Sequence, residues 1–234
     1  MSNMPGEDGI ATRPLHFIWI CDCSGSMAAD GKIESLNDAI KQALPVIKDS
    51  ADSNPFAKVL IRCIKFSNGA EWINKEPIPL ENFHWSDLSA DGVTDMGKAL
   101  SMVADELKMP PMEKRGYPPV LVLVSDGQPT DNFDGGLKKL MSESWGKKSV
   151  RLSVGIGEGA DTEVLQKFIG NLEIKPLVAR NSQELVRYIV WASRTGTSTS
   201  IAPNSKQDGS QSPPIPQPLP DTGSGGSNPQ DFVW

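Results

Sequence analysis

The sequence predicts an α/β fold: a doubly wound, mostly parallel central sheet with an antiparallel edge strand and helices on both faces. Three observations carry this. Segments of strand length rich in apolar residues recur at residues 15–22, 58–67, 120–125 and 150–156. Between them apolar residues return at helical spacing, so strands alternate with helices, the pattern of right-handed crossovers in a parallel sheet. The run Val120-Leu-Val-Leu-Val-Ser125 is apolar on both faces, which suits a central strand covered by helices on both sides.

Residues 15–22 form the first strand and deliver their polar end to the carboxyl edge of the sheet. From Lys32, apolar residues at Ile33, Leu36, Ile40, Leu44 and Ile47 define one helical face. Pro45 lies inside that pattern. Lacking an amide hydrogen, it is expected to end or kink the helix near Ala43 or Leu44. Residues 58–67 form the second strand. Asn68-Gly69 signals a tight turn, and 71–78 then reads as an edge strand hairpinned back, where Pro77 and Pro79 are tolerated. A helix over 95–107 follows, capped by Thr94 or Asp95, with Met96, Leu100, Val103 and Leu107 inward. The remaining expectations are strands at 120–125, 150–156 and 174–179 and helices over 136–145, 161–168 and 182–193, with Thr162 a cap candidate.

This divides the chain into a flexible N-terminus at 1–13, one domain over 14–195, and a Pro/Gly/Ser-rich flexible tail at 196–234. Residues 203–234 hold seven prolines, five serines and four glycines, too little apolar surface to offset the entropy of ordering. The end, Asp231-Phe-Val-Trp234, either leaves Trp234 packed loosely on the domain or on nothing, or forms a short docking peptide on a tether. Leu219-Pro-Asp-Thr-Gly223 matches a sortase-anchoring pentapeptide; Ser-Gly-Gly-Ser follows it where such a signal has an apolar span, and a chance match in a Pro-rich tail is the expectation.

A chain of 234 residues can bury an ample core. A net charge of −6 and an isoelectric point near 5.0 give no basic footprint for nucleic acid or an anionic membrane. No apolar stretch approaches the ~20 residues that span a bilayer. The polar, acidic start lacks the regions of a secretory signal, and three cysteines without framework spacing fit a reducing compartment, so a cytoplasmic location is expected. Cys21-Asp-Cys23 does not read as a thiolate metal site, since structural zinc usually takes four N/S ligands and His16 and His84 stand alone. Cys21 and Cys63 are expected to be small buried residues on neighbouring strands, with Cys23 more exposed.

Three stretches carry chemistry: Ile20-Cys-Asp-Cys-Ser-Gly-Ser-Met27, Gly92-Val-Thr-Asp95, and Ser125-Asp-Gly-Gln-Pro-Thr-Asp131. Together they offer Asp22, Ser24, Ser26, Thr94 and Asp126, all short oxygen-bearing side chains that suit a hard divalent ion, Mg²⁺ or Mn²⁺. Only two are carboxylates, so an acidic group from elsewhere can complete the shell. Any one of these residues can be a cap or turn residue; the set, with two of its three stretches directly following apolar runs, is not explained that way.

These motifs resemble the von Willebrand factor A (VWA) domain and its metal-ion-dependent adhesion site, on a Rossmann-like sheet. Asn54-Pro-Phe-Ala57, the strand ending in Phe66, and Trp85-Ser-Asp-Leu-Ser-Ala-Asp-Gly-Val-Thr94 look like the bacterial tellurite-resistance-associated (TerY/YegL-like) branch. The resemblance covers residues 14–193. It implies that Ser24 and Ser26 bind the ion directly, Thr94 directly when a ligand is present, and Asp22 and Asp126 largely through waters. It also implies a metal-dependent protein–protein interaction module, with a Ser/Thr kinase or PP2C-type phosphatase among the partners and a role in stress-response signalling. Asp30, Asp95 and Asp131 stay outside the ligand set; Asp95 suits a helix cap and Asp131 the ordering of the Asp126 loop. Met27, His84 and Trp85 are expected as contact surface around the site.

The rival reading is a magnesium-dependent hydrolase or phosphotransferase in the same crevice. Such chemistry needs a base or an aspartyl nucleophile, and cationic groups on the phosphate. Neither His lies in a motif loop, no Gly-rich Lys-Ser/Thr phosphate loop is present, and Ser24 stands where an Asp-x-Asp phosphatase has its second carboxylate. A non-enzymatic module is the expectation.

Overall fold

The computed structural model describes residues 12–202. The elements are β1 (Arg13–Asp22), α1 (Lys32–Asp52), β2 (Ala57–Ser67), β3 (Gly69–Trp72), β4 (Ile78–Pro79), α2 (Met96–Glu106), β5 (Val120–Ser125), α3 (Phe133–Ser142), α4 (Ser144–Lys148), β6 (Val150–Ile156), α5 (Thr162–Ile169), β7 (Leu177–Ala179) and α6 (Ser182–Ile201). Among the described residues one seven-stranded sheet runs in the order β3-β2-β1-β5-β6-β7, with β4 also paired to β2. The pairs β1–β2, β1–β5, β5–β6 and β6–β7 are parallel, whereas β3 and β4 run antiparallel to β2. This is the expected fold.

Side-chain alternation splits the core into two layers. From β1, Leu15, Phe17, Trp19 and Cys21 face the layer built with α1 and α6, while Ile18 and Ile20 face the layer of α2, α3 and α5. β5 divides likewise, Val120, Val122 and Val124 on one face and Leu121 and Leu123 on the other, all fully buried. Each such side chain contributes about 1.5–3 kcal/mol of burial. Cys21 and Cys63 sit buried on β1 and β2 with their sulfurs 3.9 Å apart, as expected. Cys23 does not follow the expectation: only 2% of it is exposed, a correction that follows from its backbone bond to Phe66 O, which continues the strand pairing into the loop.

Other departures have local causes. α1 does not end at Pro45 but continues to Asp52, because Ile40 and Ala43 before the proline and Ile47 and Ala51 after it are all buried. That burial outweighs a lost helical bond. Pro45→Ala restores the amide donor and is expected to stabilise the domain by about 1–3 kcal/mol, as read by thermal melting. The single edge strand expected at 71–78 is two pieces, because the Asn74 side chain takes over the ladder between them, accepting from Cys63 N (3.0 Å) and donating to Ile61 O (2.9 Å). The helix expected over 136–145 begins at Phe133, capped by the Asn132 side chain. α5 is capped by Asp161, whose carboxylate accepts from Glu163 N and Val164 N, and not by Thr162. α6 continues past the assigned start of the tail to Ile201, with Gly196, Thr197 and Ile201 buried. The pentapeptide at 219–223, the Phe232-Val-Trp234 end and most of the 1–13 segment lie outside the described residues. No helix of the described residues is long and apolar enough to cross a membrane.

Candidate metal centre

β1 continues to β2 on one side, and the chain then crosses back to place β5 on the other. The order reverses between β1 and β5, and in open parallel sheets the crevice beyond such a point binds ligands. Asp22 closes β1 and Ser125 closes β5, and the register that pairs Cys21 with Val124 sets them side by side. Ser125 Oγ donates to Asp22 Oδ2 at 2.5 Å, and Ser24 N donates to Asp22 Oδ1 at 2.8 Å. Both carboxylate oxygens of a fully buried Asp22 are therefore engaged. Burial still pushes its carboxyl above the usual range; the bonds from Ser125 and Ser24 pull it down, and the Asp126 charge adds to the rise.

The loop after β1 is laced to the 91–95 loop by two backbone bonds, Asp91 N to Cys23 O (2.8 Å) and Gly25 N to Gly92 O (2.9 Å). Gly92 has φ 83, and a Cβ there would run into the Asn68 amide, so the tight approach requires glycine. Ser24 Oγ lies 3.0 Å from Ser26 Oγ, and Ser26 Oγ donates to Asp126 Oδ1 at 2.7 Å. Thr94 is fixed from the third stretch: its N donates to Thr130 Oγ1 (3.0 Å) and its O accepts from Thr130 N (2.9 Å). A methyl placed on Gly127 would stand 3.9 Å from Thr94 Oγ1 and 4.0 Å from Ser26 Oγ, so both hydroxyls border the space that this glycine leaves open. The structure thus brings together all five residues picked from the sequence.

Among the described residues no group of three or more His, Cys, Asp or Glu could hold a metal. The cluster instead joins two carboxylates to three hydroxyls, a hard-oxygen set matched to Mg²⁺ or Mn²⁺ and short of negative charge. The thiols are no rivals. Contact with Cys63 and burial hold the Cys21 thiol well above its usual range, and burial raises Cys23 too.

Asp95 and Asp131 hold backbone. Asp131 accepts from Gly97 N (2.8 Å) and Lys98 N (2.7 Å), capping α2 from across space, while Asp95 turns away to accept from Gly69 N (2.7 Å). Asp95 occupies the N-cap position of α2 without a side-chain cap bond, so of the two expected roles, cap or charge opposite the helix dipole, the bonded cap is corrected. Met27 is fully buried beneath the loop and cannot be contact surface. Trp85 is half-buried, its Nε1 donating to Asn37 Oδ1 (3.1 Å) and its ring edge-on to Trp19, whereas His84 is exposed. Val93, 46% exposed beside Thr94, is the apolar rim residue that the sequence did not single out. Ser125 and Lys32 were missed as well. The register of β1 against β5 reveals Ser125; Lys32 donates to Asp126 Oδ2 at 2.8 Å from 94 positions away, with no motif to announce it.

A doubly wound sheet with a carboxylate and hydroxyl cluster at its switch point defines a class of α/β domain that binds ligands at the carboxyl edge. The family model of the von Willebrand factor type A domain matches residues 80–185 of the chain. No curated protein is similar enough in sequence to count as a relative. The fold is shared with a von Willebrand factor type A protein from Catenulispora acidiphila at 19% identity over 81% of this chain and 43% of that one, TM-score 0.57. It is shared with the ArnB paralog VWA2 from Sulfolobus acidocaldarius at 19% identity over 77% and 45%, TM-score 0.56. Proximal thread matrix protein 1 from the mussel byssus, with a zinc-occupied MIDAS motif, matches at 14% identity over 79% and 49%, TM-score 0.58. The chain spans less than half the length of these solved chains.

Proposed function

We propose that Asp22, Ser24, Ser26, Thr94 and Asp126 hold one Mg²⁺ or Mn²⁺ ion whose shell is completed by a Glu or Asp of a partner protein. The observation that carries this is the meeting of Ser24 Oγ and Ser26 Oγ (3.0 Å apart) with Asp126, a carboxylate from another strand end, above the gap at Gly127. VWA domains bind divalent metals and mediate protein–protein contacts, which supports the reading. The ion supplies a positive, electrophilic point at the crevice floor; the chain's own residues orient it and leave a face toward solvent at Ser26, which is exposed.

A binding role fits this crevice better than hydrolysis. Asp22 is fully buried with both oxygens taken, so it offers no free carboxylate for nucleophilic attack. His16 pairs with Glu113 and lines a separate cavity, away from the motif loops. Within this reading the finer role is cytoplasmic bacterial stress-response signalling in the tellurite-resistance-associated manner, with a Ser/Thr kinase or PP2C-type phosphatase as partner and no nucleic acid or membrane involved. Support for that role is confined to the sequence resemblance.

Mn²⁺ titration of the full chain, followed by calorimetry and by relaxation of the metal's bound waters, tests the site. One ion is expected to bind weakly, and Asp126→Ala is expected to weaken it at least tenfold, about 1.4 kcal/mol, while leaving the circular dichroism spectrum unchanged. Identical titrations of both proteins would remove Asp126 from the site.

A further inference from the structure

Lys32 occupies a place that ordinary helix physics disfavours. It is the first residue of α1, where the macrodipole presents positive charge and a cation is unfavourable. The turn leading to it runs through two successive residues in the left-handed region, Asp30 at φ 55 and Gly31 at φ 68, a conformation that a non-glycine residue adopts at a cost. Lys32 N then returns to Ala29 O (3.2 Å). The outcome is a Lys32 side chain 15% exposed whose ammonium donates at 2.8 Å to Asp126, a side chain 1% exposed. Ser26 Oγ takes the other oxygen of the same carboxylate. Three acids of the motif loops are committed elsewhere: Asp22 to Ser24 and Ser125, Asp95 to Gly69 N, Asp131 to the α2 amides.

From this we infer that Lys32 is a resident cation that competes with the divalent ion for Asp126 and makes tight metal binding depend on a carboxylate supplied from outside. The inference rests on the metal-site reading above. Asp22, Asp126 and Lys32 together leave the crevice with one net negative charge, so a dication entering it produces an excess positive charge beside a largely desolvated ammonium. An added carboxylate cancels that excess. Without Lys32 the two aspartates alone balance the ion, and the demand for an outside acid falls. Lys32 is therefore a determinant of affinity and of partner dependence that acts through Asp126 without being a ligand itself.

The test is Mn²⁺ titration of the full chain and of its Lys32→Met, Lys32→Arg and Asp126→Ala variants, each with and without acetate as the carboxylate probe. Lys32→Met is expected to bind Mn²⁺ at least tenfold more tightly than the parent and to lose most of the enhancement by acetate. Lys32→Arg, which keeps the charge, is expected to stay weak and acetate-dependent, which separates charge from packing. Equal or weaker Mn²⁺ binding by Lys32→Met, with Asp126→Ala still impaired, overturns the inference and leaves the metal site standing. Mn²⁺ binding by none of the proteins, or binding indifferent to Asp126→Ala, overturns the site reading and the inference with it.

Discussion

Asp22→Asn is expected to melt at a higher temperature than the parent protein without metal at neutral pH, and to gain nothing when Mn²⁺ is added. Burial holds the Asp22 carboxyl above its ordinary value of 3.8, so ionising it works against the folded state. The sign follows from linkage. A carboxyl raised on folding gives stability that is complete below the unfolded value and is lost as pH rises through the folded one. The two proteins should therefore melt alike in acid and diverge toward neutrality. The amide fits the same bonds: its Oδ1 can accept from Ser24 N, and its Nδ2 can donate to Ser125 Oγ, which lies 3.4 Å from Gly127 O and can turn its hydrogen there. Each kcal/mol recovered should raise the melting temperature by about 2–4 °C. The parent protein should gain stability on adding Mn²⁺, because an ion bound only to the folded state stabilises by mass action. Should the Asp22→Asn variant melt lower than the parent in chelator at pH 7, the carboxylate would be a structural asset and the trade between stability and binding would not exist.

What was legible in the sequence was whatever is local or contiguous. β5 and β6 have the expected bounds, β5 as a short unbroken run of β-branched and aliphatic residues and β6 by the alternation of Val150, Leu152, Val154 and Ile156 with Arg151, Ser153 and Gly155. Four of the five candidate residues, Asp22, Ser24, Ser26 and Asp126, were legible because strands in such a sheet deliver their following loops to one edge; Thr94, from the loop before α2, was legible only through the motif. Facts decided by long-range packing were hidden. Pro45 reads as a helix stop by propensity, yet four buried neighbours on α1 keep the helix whole. The Asn74 side chain breaks an edge strand by imitating a backbone partner, which no periodicity foretells. Met27 follows Ser26 in the loop after β1, but the short helical turn over Gly25–Ala28 rolls it inward. Lys32 meets Asp126 only because two left-handed residues redirect the chain. The hydroxyl and carboxylate set was thus visible, while the charge that balances it was not.

The crossing of α2 and α3 ties the third stretch of the site to the core, and Gly136→Ala is expected to show it. By helix propensity alone, an alanine in place of a mid-helix glycine stabilises by about 1 kcal/mol. Here the sign should reverse. A Cβ on Gly136 would overlap the backbone of Gly97, and a Cβ on Gly97 would overlap the carbonyl of Asn132, so neither helix can yield without the pair moving apart. Overpacking of a closed interface costs about 1–3 kcal/mol, and backbone against backbone has no rotamer to relax through. The loss should exceed the propensity gain, lowering the melting temperature by several degrees at about 2–4 °C per kcal/mol. The effect should reach the metal as well. Gly97 N and Lys98 N are held by Asp131, and Thr94 is held on both its N and O by Thr130, all from the segment leading into α3. Parting the helices pulls the Thr94 hydroxyl away from Ser26 and Asp126, so Mn²⁺ affinity should fall together with stability. Gly159→Ala is the control, because a Cβ there meets nothing within 4 Å, and it should change neither quantity. If Gly136→Ala instead melts at or above the parent temperature with unchanged Mn²⁺ affinity, the contact at Gly97 is slack and Thr94 is positioned by its own loop alone.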